Sequence, residues 1–319
     1  MSAPFRFAVE SWAPEYGAAV EPDGDEQGKP PEVDVTVERP AAAWAPIAPK
    51  VAAPACVGFV DGVQRIDARI WLPGDDGGVR MGICASYAAG LVRCDGRAEV
   101  QAPPEHERAV FAPGIPQGIE TSVGRYNAYA TVNDKFETLR VKLEDRRREL
   151  EITVAGSVSD CGLVVLDGSL FGREHVPHAI GYLKSHQVRY LEGPQHAVVG
   201  QLAPGERTPV FLTRTTWSRY SWYLRLPGPL AHPWSGIARC EAADTLSMAE
   251  VVALADLSAA ALPGFASEPH KDPRAPQNLY PIAGLERQLR HGLGDPQLLY
   301  RALRAASAEA ERPFRSPRE

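Results

Sequence analysis

Two aspartates that follow short apolar runs could bind one metal ion together. Asp61 follows the run 57–60 and Asp167 follows the run 163–166, and a glycine comes directly after each aspartate. Ligand sites of open α/β sheets lie beyond the carboxyl ends of the strands, so these two carboxylates are candidates for a shared site. Taken singly, each Asp-Gly pair is also typical of a simple turn.

Neighbouring carboxylates repel each other, which favours a divalent cation between them. At 4 Å and an effective dielectric constant near 20, two unit charges repel by about 4 kcal/mol. Mg²⁺ and Mn²⁺ prefer such oxygen ligands, and a pair of these ions can activate water and stabilise the leaving oxygen in phosphodiester hydrolysis. The two aspartates therefore predict a nuclease site that holds two Mn²⁺ or Mg²⁺ ions.

A third carboxylate is expected from a charged helix predicted over residues 132–154. Its candidates are Glu144, Glu149 and Glu151. Glu149 is preferred because it lies next to Leu150 on the apolar stripe, near the helix end that leads to the second aspartate. Each of the three glutamates would also fit an ordinary solvated helix face.

A fourth ligand is expected from a helix predicted over residues 281–291. Glu286 lies there between the apolar positions Leu285 and Leu289, so its carboxylate can turn toward the sheet. His291 is the alternative, because histidine can ligate manganese or transfer protons. As alternatives without a metal, Glu286 could be an ordinary exposed glutamate and His291 a histidine that caps the end of the helix.

Basic and aromatic residues alternate after the second Asp-Gly, which is typical of single-stranded nucleic-acid binding. Lys184, at the end of an apolar strand beside the predicted site, is the best candidate for a phosphate contact. Arg65, Arg214 and Arg219 are further DNA-binding candidates, and about half of the rings are expected in the core. The alternating residues are Lys184, His186, Arg189, Arg214, Trp217, Arg219, Tyr220, Trp222, Tyr223 and Arg225.

The predicted elements place the aspartates on adjacent strands of a mixed sheet. Residues 1–54 are predicted as an N-terminal arm for dimerisation or docking, proline-rich over 21–54 with a lone strand at 33–37, and residues 55–319 as the nuclease domain. The order of three meander strands, a helix, a fourth strand and a closing helix predicts a ribonuclease H-like α/β fold. The meander strands are expected at 56–60, 65–72 and 80–92.

The composition and the missing motifs argue against several classes of protein. The chain has 319 residues, of which 44% are apolar, and a formal net charge of −6, which argues against a uniformly basic nucleic-acid-binding surface. Five scattered cysteines suggest neither a disulfide framework nor a zinc knuckle, and no signal peptide or long apolar run is evident, so a cytoplasmic protein without membrane attachment is expected. Motifs of serine esterases, P-loop ATPases and zinc proteases do not occur in the sequence.

Five segments together resemble bacterial members of the NurA nuclease family. The most specific feature is the pair of Asp-Gly motifs with a Gly-x-x-Lys strand after the second. The segments are Val-Glu-Ser-Trp-Ala-Pro-Glu-Tyr-Gly (9–17), Phe-Val-Asp-Gly-Val-Gln-Arg-Ile (59–66), Val-Val-Leu-Asp-Gly-Ser-Leu (164–170), Gly-Tyr-Leu-Lys-Ser-His (181–186) and Pro-Gln-Asn-Leu-Tyr-Pro-Ile (276–282).

The resemblance implies a ribonuclease H-like fold, a toroidal homodimer and manganese-dependent cleavage of DNA. It implies 5′ to 3′ exonuclease and single-strand endonuclease action beside a HerA-type hexameric ATPase, in DNA end processing and repair or in anti-phage defence. The family aspartates match Asp61 and Asp167, and the family's helix glutamate falls on Glu149. The C-terminal ligand falls on Glu286 or His291.

Two alternatives remain open at this stage. The chain could be a non-catalytic adaptor that docks a HerA-type motor, or a ribonuclease H-like nuclease that acts on RNA or RNA–DNA hybrids, because a fold alone does not fix the substrate.

Overall fold

The computed structural model describes residues 8–9, 31–74, 77–158, 160–184, 188–230, 233–272 and 274–310. These residues form a mixed sheet of 12 strands with helices on its faces. The strands are β1 (Ala8–Val9), β2 (Glu32–Asp34), β3 (Val57–Pro73), β4 (Val79–Cys94), β5 (Ala98–Ala112), β6 (Ile119–Thr121), β7 (Gly124–Ala130), β8 (Leu163–Asp167), β9 (Ala179–Leu183), β10 (Phe211–Arg214), β11 (Ser218–Arg225) and β12 (Ile237–Ala243). The α-helices are α1 (Phe136–Ala155), α2 (Gly193–Gln201), α3 (Met248–Ala261), α4 (Tyr280–Gly292) and α5 (Pro296–Ala310).

The sheet combines an antiparallel meander with a parallel centre. Its order is β2-β10-β11-β12-β9-β8-β3-β4-β5-β7-β6, and β1 pairs with β3 outside this path. Strands β3, β4 and β5 are antiparallel neighbours, whereas β8 lies between β3 and β9 and is parallel to both. This is the mixed α/β sheet that the order of elements predicts.

Strand β3 is one continuous strand, and the turn predicted at Asp61-Gly62 is wrong. Asp61 pairs with Gly90 of β4 and Gly62 pairs with Ala89, so the ladder runs through the expected break between strands 56–60 and 65–72. Long-range pairing with β4 overrides the local turn preference of Asp-Gly.

Strand β5 was not predicted from the sequence. The segment contains Pro103 and Pro104, which argue against a strand because proline has no N–H to donate. The register of β4 and β5 shifts at this point: Ala89 pairs with Glu105 and Leu91 pairs with Gln101. The prolines therefore lie where the ladder is interrupted.

Helices α1 and α4 cover opposite faces of the sheet beside β3 and β4. Leu139 and Leu143 of α1 pack with one alternating set of β4 side chains, Ile83 among them, whereas Leu285 of α4 packs in the cluster that contains Ala88. Side chains alternate along a strand, so the two helices lie on different faces. Both helices can thus reach the centre of β3.

Part of the predicted arm is fixed to the body of the protein. Strand β2 pairs with β10 at the sheet edge, but it ends at Asp34, and the rest of the strand predicted over 33–37 is a turn. Glu38 accepts hydrogen bonds from the Arg207 guanidinium at 2.9 and 3.0 Å and from the Val210 backbone at 2.6 Å. Residues 10–30 of the arm lie outside the described residues.

A disulfide joins Cys56 to Cys161, contrary to the expectation that the chain lacks such bonds. Cys56 lies directly before β3 and Cys161 lies two residues before β8, and the two positions are 105 residues apart in sequence. The bond links the starts of the two strands that carry the aspartates. Cys84, Cys94 and Cys240 are buried free cysteines.

Helix α3 is apolar and packs on the core through part of its surface. The stretch Met248–Phe265 has a mean hydropathy of 1.4 and would be long enough to cross a membrane. Val251, Leu254 and Ala255 of this helix belong to the main core cluster, together with residues of β11 and β12. Within the stretch Met248–Phe265, 39% is buried inside the protein.

Candidate functional site

The two aspartates lie side by side where the β3–β8 ladder ends. Val60 and Leu166 are the last partners in register, so Asp61 and Asp167 follow at equivalent positions of parallel strands. Adjacent strands are about 4.8 Å apart. β8 ends at Asp167 whereas β3 continues, and a cleft opens there. The structure thus brings together the two carboxylates that the sequence proposes as a pair.

Asp61 is a buried carboxylate with little compensation for its charge. Its residue is 6% exposed, and among the described residues its carboxylate accepts one hydrogen bond, from the Gly62 backbone at 2.7 Å. Burial, and then the negative charge of Asp167, raise the pKa of Asp61 well above its usual range. Asp167 is half-buried and pairs with the Lys184 ammonium at 2.8 Å. A cation beside Asp61 would offset both the cost of burying its charge and the repulsion from Asp167.

Glu151 of α1 supplies the third carboxylate. Its side chain is 1% exposed, with Oε1 bonded to Arg147 at 2.9 Å and Oε2 bonded to Arg173 at 2.5 Å. A Cβ atom at position 62 would lie 2.2 Å from Oε1 of Glu151. Gly62 is therefore required for space, because the helix carboxylate approaches β3 directly above it.

The preference for Glu149 as the helix ligand is corrected by the structure. The Glu149 side chain is 53% exposed, forms an ion pair with Arg146 and does not line the cleft. Two residues along a helix differ by about 200° in direction, so Glu149 and Glu151 cannot both face the sheet. Glu144 lines the cleft but is bonded to Arg140 at 3.4 Å.

Glu286 lies at the rim of the cleft and is held by two arginines. Arg274 donates to it at 2.8 Å and Arg290 at 3.1 Å. Burial opposes ionisation, but these arginines outweigh it and lower the pKa of Glu286. The exposed His291 does not line the cleft. Of the two candidates for the fourth ligand, Glu286 is paired with arginines at the rim and His291 lies outside the cleft.

The cleft is a polar cavity of about 460 Å³ between β3, β8, β9, α1 and α4. Its acids are accompanied by a larger set of basic residues that the sequence analysis did not single out, apart from Lys184. These basic residues are Arg147, Arg148, Arg173, Lys184, Arg274 and Arg290. Such a mixture suits an anionic substrate that also requires cations at the acids.

Three of the four predicted DNA-binding residues lie elsewhere. Arg219 is fully buried and pairs with buried Glu241 at 2.8 Å, so it cannot contact a nucleic acid. Arg65 is bonded to Asp67 and to the carbonyl of Gly294, and Arg214 pairs with a glutamate of β2 at the sheet edge. His186 lies outside the described residues.

Most of the other members of the alternating basic and aromatic set that the structure describes are structural. Trp222 is buried and donates to Ser258 at 3.0 Å. Arg225 is buried and donates to backbone carbonyls, including that of Leu202 at 2.5 Å. The alternation in sequence arises because β11 is buried on both faces.

The donor set fits a hard divalent cation. Asp61, Glu151 and Asp167 offer carboxylate oxygens, which Mg²⁺ and Mn²⁺ prefer. Among the described residues, the one group of three ligating side chains whose donor atoms lie within 4.8 Å of one another is Cys56, Asp160 and Cys161, so the acids of the cleft are more widely spaced. Both of these cysteines are in the disulfide. The cleft therefore remains the better candidate metal centre.

Comparison with known proteins shows the fold. No protein-family model and no curated protein sequence matches the chain. Among solved structures, the chain is similar to the NurA nuclease from Sulfolobus solfataricus, with a TM-score of 0.50 and 11% sequence identity over 86% of this chain and 89% of that one. The NurA-like architecture and the ribonuclease H-like fold class are thereby confirmed.

Proposed function

We propose that the protein is a metal-dependent DNA nuclease whose active site is the cleft between β3, β8 and α1. One observation carries the proposal: Asp61, Asp167 and Glu151, from three separate elements, line one polar cavity, and the buried Asp61 carboxylate forms no ion pair with another described residue. Similarity to a NurA nuclease in fold supports the same reaction class.

Asp61, Asp167 and Glu151 would hold Mn²⁺ or Mg²⁺, two ions in our proposal. The metal would supply activated water and charge stabilisation at the leaving oxygen. Lys184 would contact a phosphate oxygen of the substrate strand, because its ammonium lies at the edge of the acids. Arg147 and Arg173 orient the Glu151 carboxylate before a metal binds.

A cleavage assay tests the proposal. Labelled single-stranded DNA, duplex DNA, RNA and RNA–DNA hybrid are incubated with Mn²⁺, with Mg²⁺ or with chelator. We expect metal-dependent cleavage of DNA that Asp61→Asn abolishes. Glu149→Gln is the matched control, since this glutamate lies on the same helix as Glu151 but outside the cleft. Cleavage that survives Asp61→Asn would refute the proposed centre.

The same assay separates the alternatives. Preferred cleavage of RNA or of hybrids would assign the cleft to a ribonuclease, and binding of a motor without any cleavage would indicate an adaptor. Directional degradation of end-labelled strands tests the proposed 5′ to 3′ exonuclease, and a circular single strand tests the endonuclease.

We further propose that the chain is a homodimer and works with a HerA-type hexameric ATPase in DNA end processing, repair or anti-phage defence. The resemblance of the Asp-Gly and Gly-x-x-Lys segments supports this proposal. Light scattering of the purified chain measures its oligomeric state. Copurification with such an ATPase, and ATP-dependent stimulation of cleavage, test the partnership.

A further inference from the structure

Lys184 is held by two acceptors of different kinds. Its ammonium donates to Asp167 Oδ2 at 2.8 Å and to Asn278 Oδ1 at 2.9 Å. An ammonium has three N–H donors, so one remains for a substrate oxygen among the contacts of the described residues. A metal ion at Asp167 would compete for the first acceptor, whereas the amide oxygen of Asn278 is already directed at the lysine.

The orientation of the Asn278 amide is fixed from its other side. Asn278 is fully buried, and its Nδ2 donates to Asp272 Oδ2 at 2.5 Å. The other oxygen of Asp272 accepts from the Arg274 backbone at 2.8 Å. Lysine can only donate and an ionised aspartate can only accept, so one rotamer of the amide satisfies both partners.

Burial opposes ionisation of Asp272, but hydrogen bonds from Asn278 and Arg274 outweigh it and lower the pKa of Asp272. This carboxylate therefore remains an acceptor. The surrounding backbone is also tied to the sheet, because the Tyr182 hydroxyl of β9 donates to the Gln277 carbonyl at 2.7 Å. Gln277 and Asn278 are thus held by β9 and by Asp272.

We propose that Asn278, oriented by Asp272, is a positioning residue that holds the Lys184 ammonium toward a substrate phosphate while Asp167 binds metal. This inference rests on the proposed nuclease function. Without Asn278, repulsion from a bound metal ion would drive the lysine out of the cleft, because its bond to Asp167 would be the only one left.

Chemical labelling tests the anchoring itself, independently of nuclease activity. The folded protein, with Mn²⁺ present, is acetylated with an N-hydroxysuccinimide ester, and modification of Lys184 is measured by mass spectrometry relative to exposed Lys50. Asn278→Ala should raise the Lys184 rate several-fold. Ser258→Ala is the matched control: it also removes a buried hydrogen bond, from Trp222, and should leave the Lys184 rate unchanged. An unchanged rate in folded Asn278→Ala would overturn the proposal.

A double-mutant cycle tests the role in substrate binding. Affinity for a single-stranded oligonucleotide is measured with Ca²⁺ in place of Mn²⁺, and kcat and KM are measured with Mn²⁺. Asn278→Ala and Lys184→Ala should each weaken binding by about tenfold, and the double variant should be no weaker than Lys184→Ala alone. Multiplicative losses would show that Asn278 acts through general stability, which contradicts a positioning role.

A complementary exchange provides the rescue. Asn278→Asp alone places two carboxylates in contact and should weaken binding. Adding Asp272→Asn again pairs an amide with a carboxylate, now with the two positions exchanged: the amide at 272 donates to the carboxylate at 278, which accepts from Lys184. The exchanged protein should recover most of the affinity. If the exchanged protein folds but does not recover, the orientation argument is wrong. Should the wild-type protein bind no nucleic acid at all, the nuclease proposal fails, while the labelling result still decides whether Asn278 anchors Lys184.

Discussion

Replacing Asp61 by asparagine should stabilise the metal-free protein and remove its response to metal. The substitution keeps the shape of the side chain but removes a charge that is buried beside Asp167. Burial of a charge that lacks a compensating partner is costly, whereas a neutral amide of the same size is much cheaper to bury. We therefore expect a higher melting temperature for Asp61→Asn than for the wild type in chelator.

The metal response can be given a magnitude. A ligand at 100 times its dissociation constant stabilises the native state by about 2.7 kcal/mol. At roughly 2.1 cal/mol/K per residue, the 319-residue chain has an unfolding entropy of about 0.67 kcal/mol/K. Saturating Mn²⁺ should thus raise the melting temperature of the wild type by about 4 °C, and by much less in Asp61→Asn.

Differential scanning fluorimetry in chelator and in a Mn²⁺ series measures both effects. Asp67→Asn is the matched control, because Asp67 is a buried acid of the same strand that already has donors from Ser86, Tyr126 and Arg65. Losing these charge-assisted bonds should lower stability by about 1–3 kcal/mol and leave the Mn²⁺ shift intact.

The stability of the metal-free protein should change with pH in a definite direction. A carboxyl whose pKa is higher in the folded than in the unfolded state favours folding when protonated, so metal-free stability should fall as pH rises from the usual carboxyl range to the raised pKa of Asp61. That contribution should vanish in Asp61→Asn. A metal-free variant that is less stable than the wild type at neutral pH, with an unchanged Mn²⁺ shift, would refute the interpretation of Asp61 as a buried ligand without a cation.

Other perturbations give equally definite expectations. Glu151→Gln should abolish cleavage and Glu149→Gln should leave it near the wild-type rate, in the same DNA assay. Gly62→Ala should reduce cleavage strongly and lower the melting temperature, because its methyl group would displace the Glu151 carboxylate from its two arginines; wild-type cleavage would contradict this geometry. Arg219→Ala should lower stability by about 1–3 kcal/mol, measured by urea denaturation, because it removes one of the two buried arginines that pair with Glu241, without a specific loss of DNA affinity in the folded fraction.

The local pattern of apolar residues was sufficient to predict the helices that bury one face. The periodicity of apolar residues predicts a helix over 132–154, and α1 occupies Phe136–Ala155. The helix predicted over 281–291 agrees with α4 (Tyr280–Gly292) to within one residue at each end. Asp295 caps α5 by accepting from the Leu298 backbone at 2.7 Å. Each of these signals depends on residues within one or two turns.

Sequence could not identify the rotation of α1 or the basic residues of the cleft. Glu149 and Glu151 both lie next to Leu150, and the difference between them depends on where Gly62 leaves space in β3. Arg173 reaches Glu151 from a loop after β8, and Arg274 reaches the rim from the segment before α4. These contacts join positions far apart in sequence, so no local pattern reports them.

The two glycines that follow the aspartates have different physical causes, although the motif looks repeated. Gly62 has no left-handed conformation; it is needed because any Cβ there would collide with Glu151. Gly168 has a φ of +87°, and its carbonyl lies 3.0 Å from where a Cβ of Gly181 would be, so it turns the chain tightly against β9 and toward Lys184. Gly62 admits the third carboxylate, whereas Gly168 adopts a left-handed turn and Gly181 lets that turn approach β9 closely. The repeat in sequence therefore has two separate causes, crowding at Gly62 and a turn at Gly168.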